Sequence, residues 1–324
     1  MPQVSIIMPA YNTAAFIGDS IQSILHQTLE SLELIVVDDG STDATADIAR
    51  SFAAQDARVR VVTVDRNQGI AHAINVGLKE ARADLIGRID SDDVAVPTRF
   101  ERQVDFLSTH PEVVVVGSNA IHMSETGRKL GLSIAGPPDM ATFERFRRDG
   151  EITMVLDGTC LMRRSVLDLV GGYDETFSSA AEVDLHCRMA EHGAVIAITE
   201  PLTYYRLHPG SNVHSKFYKG RTVHRFVDYR QKELVAGREP LGYTQFLDAE
   251  RHSPVLRRAR IWIADYSRAH YRMTGVNVAN RRWVVAVSHL ARALVTDPVF
   301  VLGRVWERKL SPDARRTLKG STFV

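Results

Sequence analysis

Short apolar runs alternate with segments of helical periodicity along the first third of the chain. Runs at residues 4–8, 32–37, 59–64 and 83–89 have the length of buried strands, and each stops at a proline or an aspartate. The segments between them repeat apolar residues every three or four positions, which predicts amphipathic helices. Strands that alternate with helices of this length form right-handed βαβ units. The pattern therefore predicts an α/β fold with a largely parallel sheet.

Further buried strands are predicted after residue 110, with a polar interval between them. Apolar runs at residues 113–116, 160–162 and 194–198 predict these strands, and a helix is predicted near residues 182–192. Residues 120–150 are polar and contain a Gly-Pro-Pro sequence, so we expect irregular structure there.

The strand signals stop at about residue 215, and apolar residues then recur only at helical spacing. Asp297 followed by Pro298 predicts the start of a last helix, because aspartate caps helices and proline suits their first turn. We therefore predict one domain over residues 1–214 and a basic α-helical C-terminal region over residues 215–324.

Charge is divided unevenly between these two regions. Residues 1–214 carry 18 Lys+Arg against 30 Asp+Glu, a net charge of −12, and residues 215–324 carry 22 against 9, a net charge of +13. A basic region indicates an anionic partner, either nucleic acid or the face of a membrane. Alternatively, it packs against the acidic first region of the same chain. The sequence contains no recognisable RNA- or DNA-binding motif, so we do not expect nucleic acid to bind.

Three tryptophans, Trp262, Trp283 and Trp306, lie among the arginines of the basic region. Aromatic and basic residues together suit a helix that lies on an anionic bilayer. Alternatively, the tryptophans pack these helices onto the first domain or onto a second subunit, and the sequence leaves both interpretations open.

Composition indicates a soluble globular protein, since 44% of the 324 residues are hydrophobic and 24% are charged. Two cysteines are too few for a disulfide framework or a zinc cluster, and they suit a reducing compartment. No signal peptide and no membrane-spanning stretch is evident. We therefore expect a cytoplasmic protein, in peripheral contact with the inner face of the cell membrane if the basic helices bind lipid.

An acidic cluster follows the fourth predicted strand directly. Asp90, Asp92 and Asp93 lie at its carboxyl end, where ligands bind in open α/β sheets. Carboxylates packed this densely need a cation, and Mg²⁺ or Mn²⁺ carrying a diphosphate suits the Asp-x-Asp spacing. We expect Asp92 to bind the metal and Asp90 to bind a ribose. For Asp93 we expect a structural role instead, as a residue that caps or braces the loop. A solvated acidic turn is the competing interpretation.

Three other predicted loops end at the same edge of the sheet. Tyr11 can lie flat against a base, Asp39 can accept a hydrogen bond from a base or a ribose, and Arg66 can meet phosphate. Each is also explained by an ordinary turn. Ser41 or Thr42 is predicted to cap the helix that follows.

Two later residues are candidates for chemistry. Glu182 begins a predicted helix and could act as a general base, and His208 could complete a metal site or meet a diphosphate. Taken alone, each has a structural explanation, as an acid in a first helical turn and as a histidine in a surface loop.

In this order the motifs resemble those of family 2 glycosyltransferases of the GT-A fold. The resemblance covers residues 1–212, through segments at residues 4–12, 33–43, 67–77, 89–97, 171–175, 184–188 and 205–211. It implies a mixed, mostly parallel, Rossmann-like sheet flanked by helices. It also implies a nucleotide-binding half over residues 1–110 and an acceptor half over residues 111–214.

The resemblance further implies an inverting hexosyltransferase of bacterial polysaccharide or glycan biosynthesis in the cell envelope. The donor would be a nucleotide-diphosphate sugar, UDP by default, with Mn²⁺ or Mg²⁺ as cofactor and a glycan or lipid-linked hydroxyl as acceptor. Its implied site residues form one set. The nucleotide-binding residues are Pro9, Tyr11, Asp39, Arg66 and Asp90, the metal residues are Asp92 and His208, and the catalytic residue is Glu182. Whether the chain is a homo-oligomer is left open.

One position departs from the family pattern, since Ala181-Glu182 stands where the family has Glu-Asp, with the aspartate as the base. Glutamate keeps the carboxylate but adds one methylene, a shift that catalytic geometry tolerates poorly unless the backbone compensates. A catalytically impaired nucleotide-sugar-binding protein is therefore one alternative. A haloacid-dehalogenase-like phosphatase is another, because residues 89–94 resemble its DxDx[TV] motif, although that motif normally follows a first strand.

Overall fold

The computed structural model describes residues 1–208 and 217–305. Within these residues nine strands form one sheet in the order β3-β2-β1-β4-β8-β6-β9-β5, with β7 paired to β6. The strands are β1 (Val4–Ala10), β2 (Leu32–Asp38), β3 (Val59–Thr63), β4 (Leu85–Arg88), β5 (Val94–Ala95), β6 (Val113–Ser124), β7 (Lys129–Ser133), β8 (Leu161–Arg163) and β9 (Ala194–Leu207).

Helices fill most of the connections between strands and the whole C-terminal part of the described chain. They are α1 (Ile17–Leu25), α2 (Thr45–Ala53), α3 (Ile70–Glu80), α4 (Arg99–Thr109), α5 (Met140–Asp149), α6 (Arg164–Leu169), α7 (Ala181–Met189), α8 (Phe217–Val235), α9 (Tyr243–Arg251), α10 (Val255–Ala279), α11 (Trp283–Thr296) and α12 (Pro298–Val305). A 3₁₀ turn spans Asp157–Thr159.

Four neighbouring strands, β3, β2, β1 and β4, run parallel, as the alternating pattern predicts. Every residue of β1 and β2 is buried, because helices cover both faces of the central sheet. Residue Ile7 pairs with both Ile35 and Arg88, so the carboxyl ends of these strands lie side by side. The loops that carry the candidate residues therefore meet at one edge of the sheet. The sheet as a whole is mixed, since β8 runs antiparallel to both β4 and β6.

The expectation of irregular structure over residues 120–150 is wrong. Strand β6 continues to Ser124, β7 follows it, and α5 occupies Met140–Asp149. Asp139 caps α5 by accepting a hydrogen bond from the Thr142 N–H, and Gly150 ends it in the left-handed conformation. This helix lacks a strong apolar signal because Phe143 is its only buried side chain.

The predicted cap of α2 is also wrong. The helix begins at Thr45 without a side-chain cap, and Ser41 and Thr42 bond to Asn12 in the neighbouring loop instead. At the other end of the chain, the Asp297 cap is confirmed, because its Oδ1 accepts a hydrogen bond from the Phe300 N–H at 3.0 Å.

The chain divides into two compact units. The first comprises Met1–His122, Leu132–Arg206 and Thr222–Pro240, and the described part of the second comprises Met123–Gly131, residues 207–208, residues 217–221 and residues 241–305. The second unit is built mainly from α9 to α12. Among the described helices, none combines the length and the apolar character that crossing a bilayer requires.

Candidate active site at the carboxyl edge of the sheet

The loops after β1 and β2 are joined by hydrogen bonds between backbone and side chains. The Asn12 N–H donates to Ser41 Oγ at 3.0 Å, and the Thr42 N–H donates back to Asn12 Oδ1 at 2.8 Å. Asn12 itself has a φ of 52°, a left-handed conformation that asparagine tolerates better than most residues. The two loops are therefore held as one surface, from which the half-exposed Tyr11 ring projects.

Asp39 organises the loop after β3. Its Oδ1 accepts a hydrogen bond from the Gln68 N–H at 2.9 Å, and its Oδ2 accepts one from the Gly69 N–H at 2.8 Å. The adjoining Gly40 has a φ of 71°, and a Cβ there would lie 2.7 Å from the Arg66 backbone. Only glycine allows this close approach. The buried Asp39 carboxylate thus fixes the backbone of the loop from which the exposed Arg66 side chain extends. Each Asp39 oxygen keeps a further lone pair that can accept another hydrogen bond.

Helix α1 and the first loop hold the turn that carries the acidic cluster. Ser20 Oγ lies 2.9 Å from the Ser91 carbonyl oxygen and 2.6 Å from that of Asp93. Thr13 Oγ1 donates to Ser91 Oγ at 3.0 Å. Ser91 and Asp93 are buried, so the turn is anchored in the core, whereas the carboxylates of Asp90 and Asp92 are partly exposed. Carboxylate oxygens of Asp90, Asp92 and Asp93 lie within 4.8 Å of one another.

Asp93 shows that this cluster is electrostatically incomplete. Its Oδ1 accepts a hydrogen bond from the Arg206 N–H at 2.9 Å, whereas its buried Oδ2 has no hydrogen-bond partner among the described residues. Burial, and then the charges of Asp92 and Asp90, raise the pKa of Asp93 well above its usual range. A hard divalent cation binds oxygen ligands of this kind. It would reduce the repulsion among the three carboxylates and give the Asp93 Oδ2 a partner. The residues therefore fit a divalent metal.

Arg88, the last residue of β4, separates this cluster from a second carboxylate. Its Nη1 lies 2.9 Å from Asp90 Oδ1, and its Nε lies 2.7 Å from Asp157 Oδ2. Burial alone would lower the pKa of Arg88, but Asp157 and Asp90 together raise it above the ordinary value. Gly158 permits the contact, because a Cβ there would lie 3.0 Å from Asp90 Oδ2. One buried guanidinium thus bridges two parts of the site.

The other oxygen of Asp157 contacts side chains from later segments. Tyr173 Oη donates to Asp157 Oδ1 at 2.7 Å, and His186 Nε2 lies 3.5 Å from the same oxygen. Cys160 lies in this group too, and ligand atoms of Asp157, Cys160 and His186 are within 4.8 Å of one another. Both oxygens of Asp157 are already engaged by Arg88 and Tyr173, so this group is better explained as a charge network than as a metal centre.

Glu182 lies in the first turn of α7, beside this network. Burial raises the pKa of Glu182 to about 7, and the charge of Asp157 adds to the increase, while Arg88 opposes it. His186 lies four residues further on and shares the same helix face. Burial lowers the pKa of His186, so its ring is neutral near pH 7. Glu182 is therefore a carboxylate whose protonation changes in the neutral range, as a general base requires.

The orientation of α7 is fixed by charged contacts on its opposite side. Buried Asp184 pairs with Arg188 at 2.7 Å and also with Arg230 of α8. Arg188 donates in turn to the carbonyl oxygens of Val170 and Gly172. These contacts give Asp184 a positioning role, and they anchor the turn on which Glu182 lies.

The structure brings most of the predicted residues to one edge of the sheet. Pro9 is buried in β1, Tyr11, Asp39 and Arg66 follow β1, β2 and β3, and the acids follow β4. His208 belongs to the second unit and is the last described residue before the interval at 209–216. Trp306 and the part of the 205–211 segment from residue 209 onward lie outside the described residues.

Sequence analysis missed several residues of this site. They are Arg88, Asp157, Tyr173, His186 and Arg206. Tyr173 lies in the Gly-Gly-Tyr-Asp-Glu segment, which is a usable signal, and Arg88 is a charge at the end of an apolar run. Asp157 offers no such signal, since an aspartate before glycine between two apolar runs is typical of a turn.

A sequence model described as Glycosyl transferase family 2 matches residues 5–171, just over half of the chain. The chain belongs to this family. The matched residues contain the four parallel strands, the acidic cluster and the Arg88–Asp157 ion pair, and they end before Glu182.

Relatives of this family 2 chain match it over different lengths. EpsE of Bacillus subtilis (strain 168) is 33% identical over 195 residues, which are 59% of this chain and 68% of that protein. An uncharacterized glycosyltransferase of Haemophilus influenzae is 39% identical over 138 residues, 40% of this chain and 55% of that protein. Chondroitin synthase of Escherichia coli is 28% identical over 216 residues, 67% of this chain but only 30% of that protein.

Solved structures with the same fold cover nearly the whole chain. S. aureus TarS 1–349 aligns with a TM-score of 0.55 at 18% identity, covering 94% of this chain and 92% of that one. Mannosyltransferase PcManGT from Pyrobaculum calidifontis, in complex with GDP-Man and Mn²⁺, aligns with a TM-score of 0.54 at 20% identity, covering 97% and 82%. These similarities confirm the expected GT-A fold with its C-terminal helices.

Proposed function

We propose that the chain is an inverting glycosyltransferase that moves a sugar from a nucleotide diphosphate to a hydroxyl group. The main support for this proposal is the position of Glu182, a carboxylate with a pKa of about 7. It lies beside a charge network that extends through Asp157 and Arg88 to the acidic cluster. A single displacement needs a base on one side of the reacting carbon and charge neutralisation on the other.

The nucleotide side of the site comprises the loops after the parallel strands. Tyr11 with Pro9 and Asp39 would contact the base, Asp90 the ribose and Arg66 the diphosphate. A divalent cation, Mn²⁺ or Mg²⁺, would be held by Asp92 with support from His208, and when bound it supplies positive charge for the departing diphosphate. Asp93 is available to the same cation through its unpartnered Oδ2.

Glu182 would accept the proton of the acceptor hydroxyl as that oxygen attacks the anomeric carbon. The Arg188 and Arg230 contacts of α7 keep this helix, and therefore the carboxylate, in a fixed orientation. The neutral His186 on the same face adds no charge that would lower the basicity of Glu182. The extra methylene of glutamate relative to aspartate extends the carboxylate further from the helix backbone.

Support for the donor class comes from structural neighbours, which were solved with UDP, UDP-GlcNAc and GDP-Man. We propose a UDP-sugar as the donor. For the acceptor we propose a glycan or lipid-linked hydroxyl at the cytoplasmic face of the membrane, since one relative is a chondroitin synthase. The phosphatase alternative loses support, because the acidic motif follows the fourth strand of a family 2 fold.

A panel of nucleotide sugars with and without Mn²⁺ tests this proposal. We expect one UDP-sugar to raise the melting temperature, and to raise it further with Mn²⁺, because ligands stabilise the state that binds them by about 2.7 kcal/mol at a hundredfold excess over Kd. The protein should transfer the sugar of the same donor to an acceptor hydroxyl, or slowly hydrolyse that donor when no acceptor is present. Binding without either reaction would favour the catalytically impaired alternative, and no shift with any donor would contradict both.

The pH dependence of transfer gives an independent prediction. Because burial and Asp157 raise the pKa of Glu182 to about 7, the base is protonated below that pH, and kcat should fall as pH decreases through 7. In Asp157→Asn the repulsion from Asp157 is lost, so the acidic limb of the profile should move down by about one pH unit. Tyr173→Phe removes the hydrogen bond but keeps the charge of Asp157, and its limb should move far less. An unchanged limb in Asp157→Asn would contradict the assignment.

A further inference from the structure

The last two described helices expose apolar side chains that no described residue of the chain covers. Val284, Val287 and Val295 of α11 and Val299 and Leu302 of α12 are between 61% and 86% exposed. Residues 284, 287, 291 and 295 recur at the spacing of one helix face, whereas the buried Ala286 and Ala293 lie on another. Within the described part of the chain, helix α11 therefore presents an uncovered apolar face to its surroundings.

Few charges interrupt this face, and those few are positive. Helices α11 and α12 contain Arg292 and Arg304 but no acidic residue. The exposed Trp283 begins α11 directly after Arg281 and Arg282, and the exposed start of α10 carries further arginines beside Trp262. Described residues 241–305 contain ten arginines and no lysine against four acids, a net charge of +6.

Aromatic and arginine side chains that flank an apolar helix face are typical of helices lying in the interface of an anionic bilayer. A second copy of the chain fits this face less well. A two-fold interface brings the same patch of both subunits together, so the surrounding arginines would face one another with few acids to pair with.

We propose that α11, α12 and the start of α10 form a surface that lies on anionic lipid. The apolar side chains enter the interfacial layer, and the arginines contact phosphate groups of the lipids. This surface is independent of sugar transfer, although it would bring the second unit to a place where lipid-linked acceptors occur.

Co-sedimentation of the full chain with vesicles tests the surface. We expect binding to vesicles of phosphatidylcholine with phosphatidylglycerol, weak binding to phosphatidylcholine alone, and release at high salt, because headgroup attraction is screened. The double variant Val287→Ser/Val295→Ser should lose at least about tenfold in vesicle affinity, since buried apolar area is lost. In Arg257→Gln/Arg258→Gln/Arg260→Gln each substitution should cost about fivefold on anionic vesicles.

The control is Leu169→Ser, which removes an equally exposed leucine from the first unit and should bind vesicles like the parent protein. Circular dichroism and UDP binding should be unchanged in every variant, so loss of vesicle binding is separable from loss of fold or of donor binding. Equal binding of the parent protein to both vesicle types would overturn the proposal. So would a Val287→Ser/Val295→Ser variant that binds anionic vesicles as tightly as the parent protein. A dimer that forms without lipid and dissociates in the double variant would assign the face to a second copy instead.

Discussion

Replacement of Glu182 by glutamine is expected to abolish sugar transfer while the protein still binds its donor. Positioned bases contribute about 10²–10⁴-fold to rate, so kcat should fall by roughly that factor. Glutamine has nearly the same shape as glutamate, and the contacts that anchor α7 go through Asp184 rather than Glu182. Transfer measured with saturating donor, together with the Kd for UDP, separates the loss of the base from a loss of binding.

Two further variants sharpen this test. Glu182→Asp keeps a carboxylate at the length that the family resemblance implies, so it should retain far more activity than the glutamine variant. Glu144→Gln removes an exposed acid of α5 and should behave like the parent protein. A Glu182→Gln protein with unchanged turnover would remove this residue from the mechanism, whereas equal losses in the glutamine and aspartate variants would indicate a purely steric effect.

The edge of the sheet that carries the candidate site is predictable from the sequence because it depends on local patterns. Four apolar runs followed by polar residues predict parallel strands, and parallel strands place their carboxyl ends together. The sequence alone therefore places Asp39 near the acids that follow β4. The burial of Asp38, Asp39 and Ser91 shows why these polar residues follow so directly on apolar runs, since they are fixed within the sheet edge.

What the sequence does not predict are contacts between distant segments. Arg88 pairs with Asp157, which lies in a 3₁₀ turn that has no apolar periodicity, and Asp157 in turn contacts Tyr173 and His186. Burial and then the charge of Asp157 raise the pKa of Glu182 to about 7, so this pKa is a property of the tertiary structure. The prediction of irregular structure over residues 120–150 is wrong for another reason. Helix α5 buries only one side chain, so its sequence shows little apolar periodicity.

Domain limits illustrate the same difference between local and distant information. The change from strand to helix near residue 215 is visible in the sequence, and the described secondary-structure elements after it are helices. The compact units follow other boundaries, since Thr222–Pro240 groups with the first unit and Met123–Gly131 with the second. Arg230 explains part of this grouping, because it binds Asp184 inside the first unit. The limit at residue 214 stays a prediction about domains that could fold separately.

Replacement of Asp92 by asparagine is expected to eliminate the effect of Mn²⁺ on donor binding and to stop transfer. Removing one carboxylate from the Asp90, Asp92 and Asp93 group leaves fewer hard oxygen ligands, so affinity for the cation should fall. Transfer should drop by roughly 10²-fold or more, since a bound cation contributes several kcal/mol of charge stabilisation. Isothermal titration with UDP, with and without Mn²⁺, should show a metal-dependent gain in the parent protein and none in the variant.

Without a metal ion, the Asp92→Asn variant should be more stable than the parent protein, although it binds and transfers less well. The pKa of Asp93 is raised by burial and then by Asp92 and Asp90, so ionised Asp93 destabilises the fold at neutral pH. Loss of the Asp92 charge relieves this repulsion, and Asp92→Asn should melt at a higher temperature than the parent protein in EDTA, by a margin that shrinks as Asp93 becomes protonated at lower pH. Asp105→Asn, an exposed position on α4, should change neither melting nor Mn²⁺ response. A variant that keeps the full Mn²⁺ response would show that Asp92 is not a ligand of the cation.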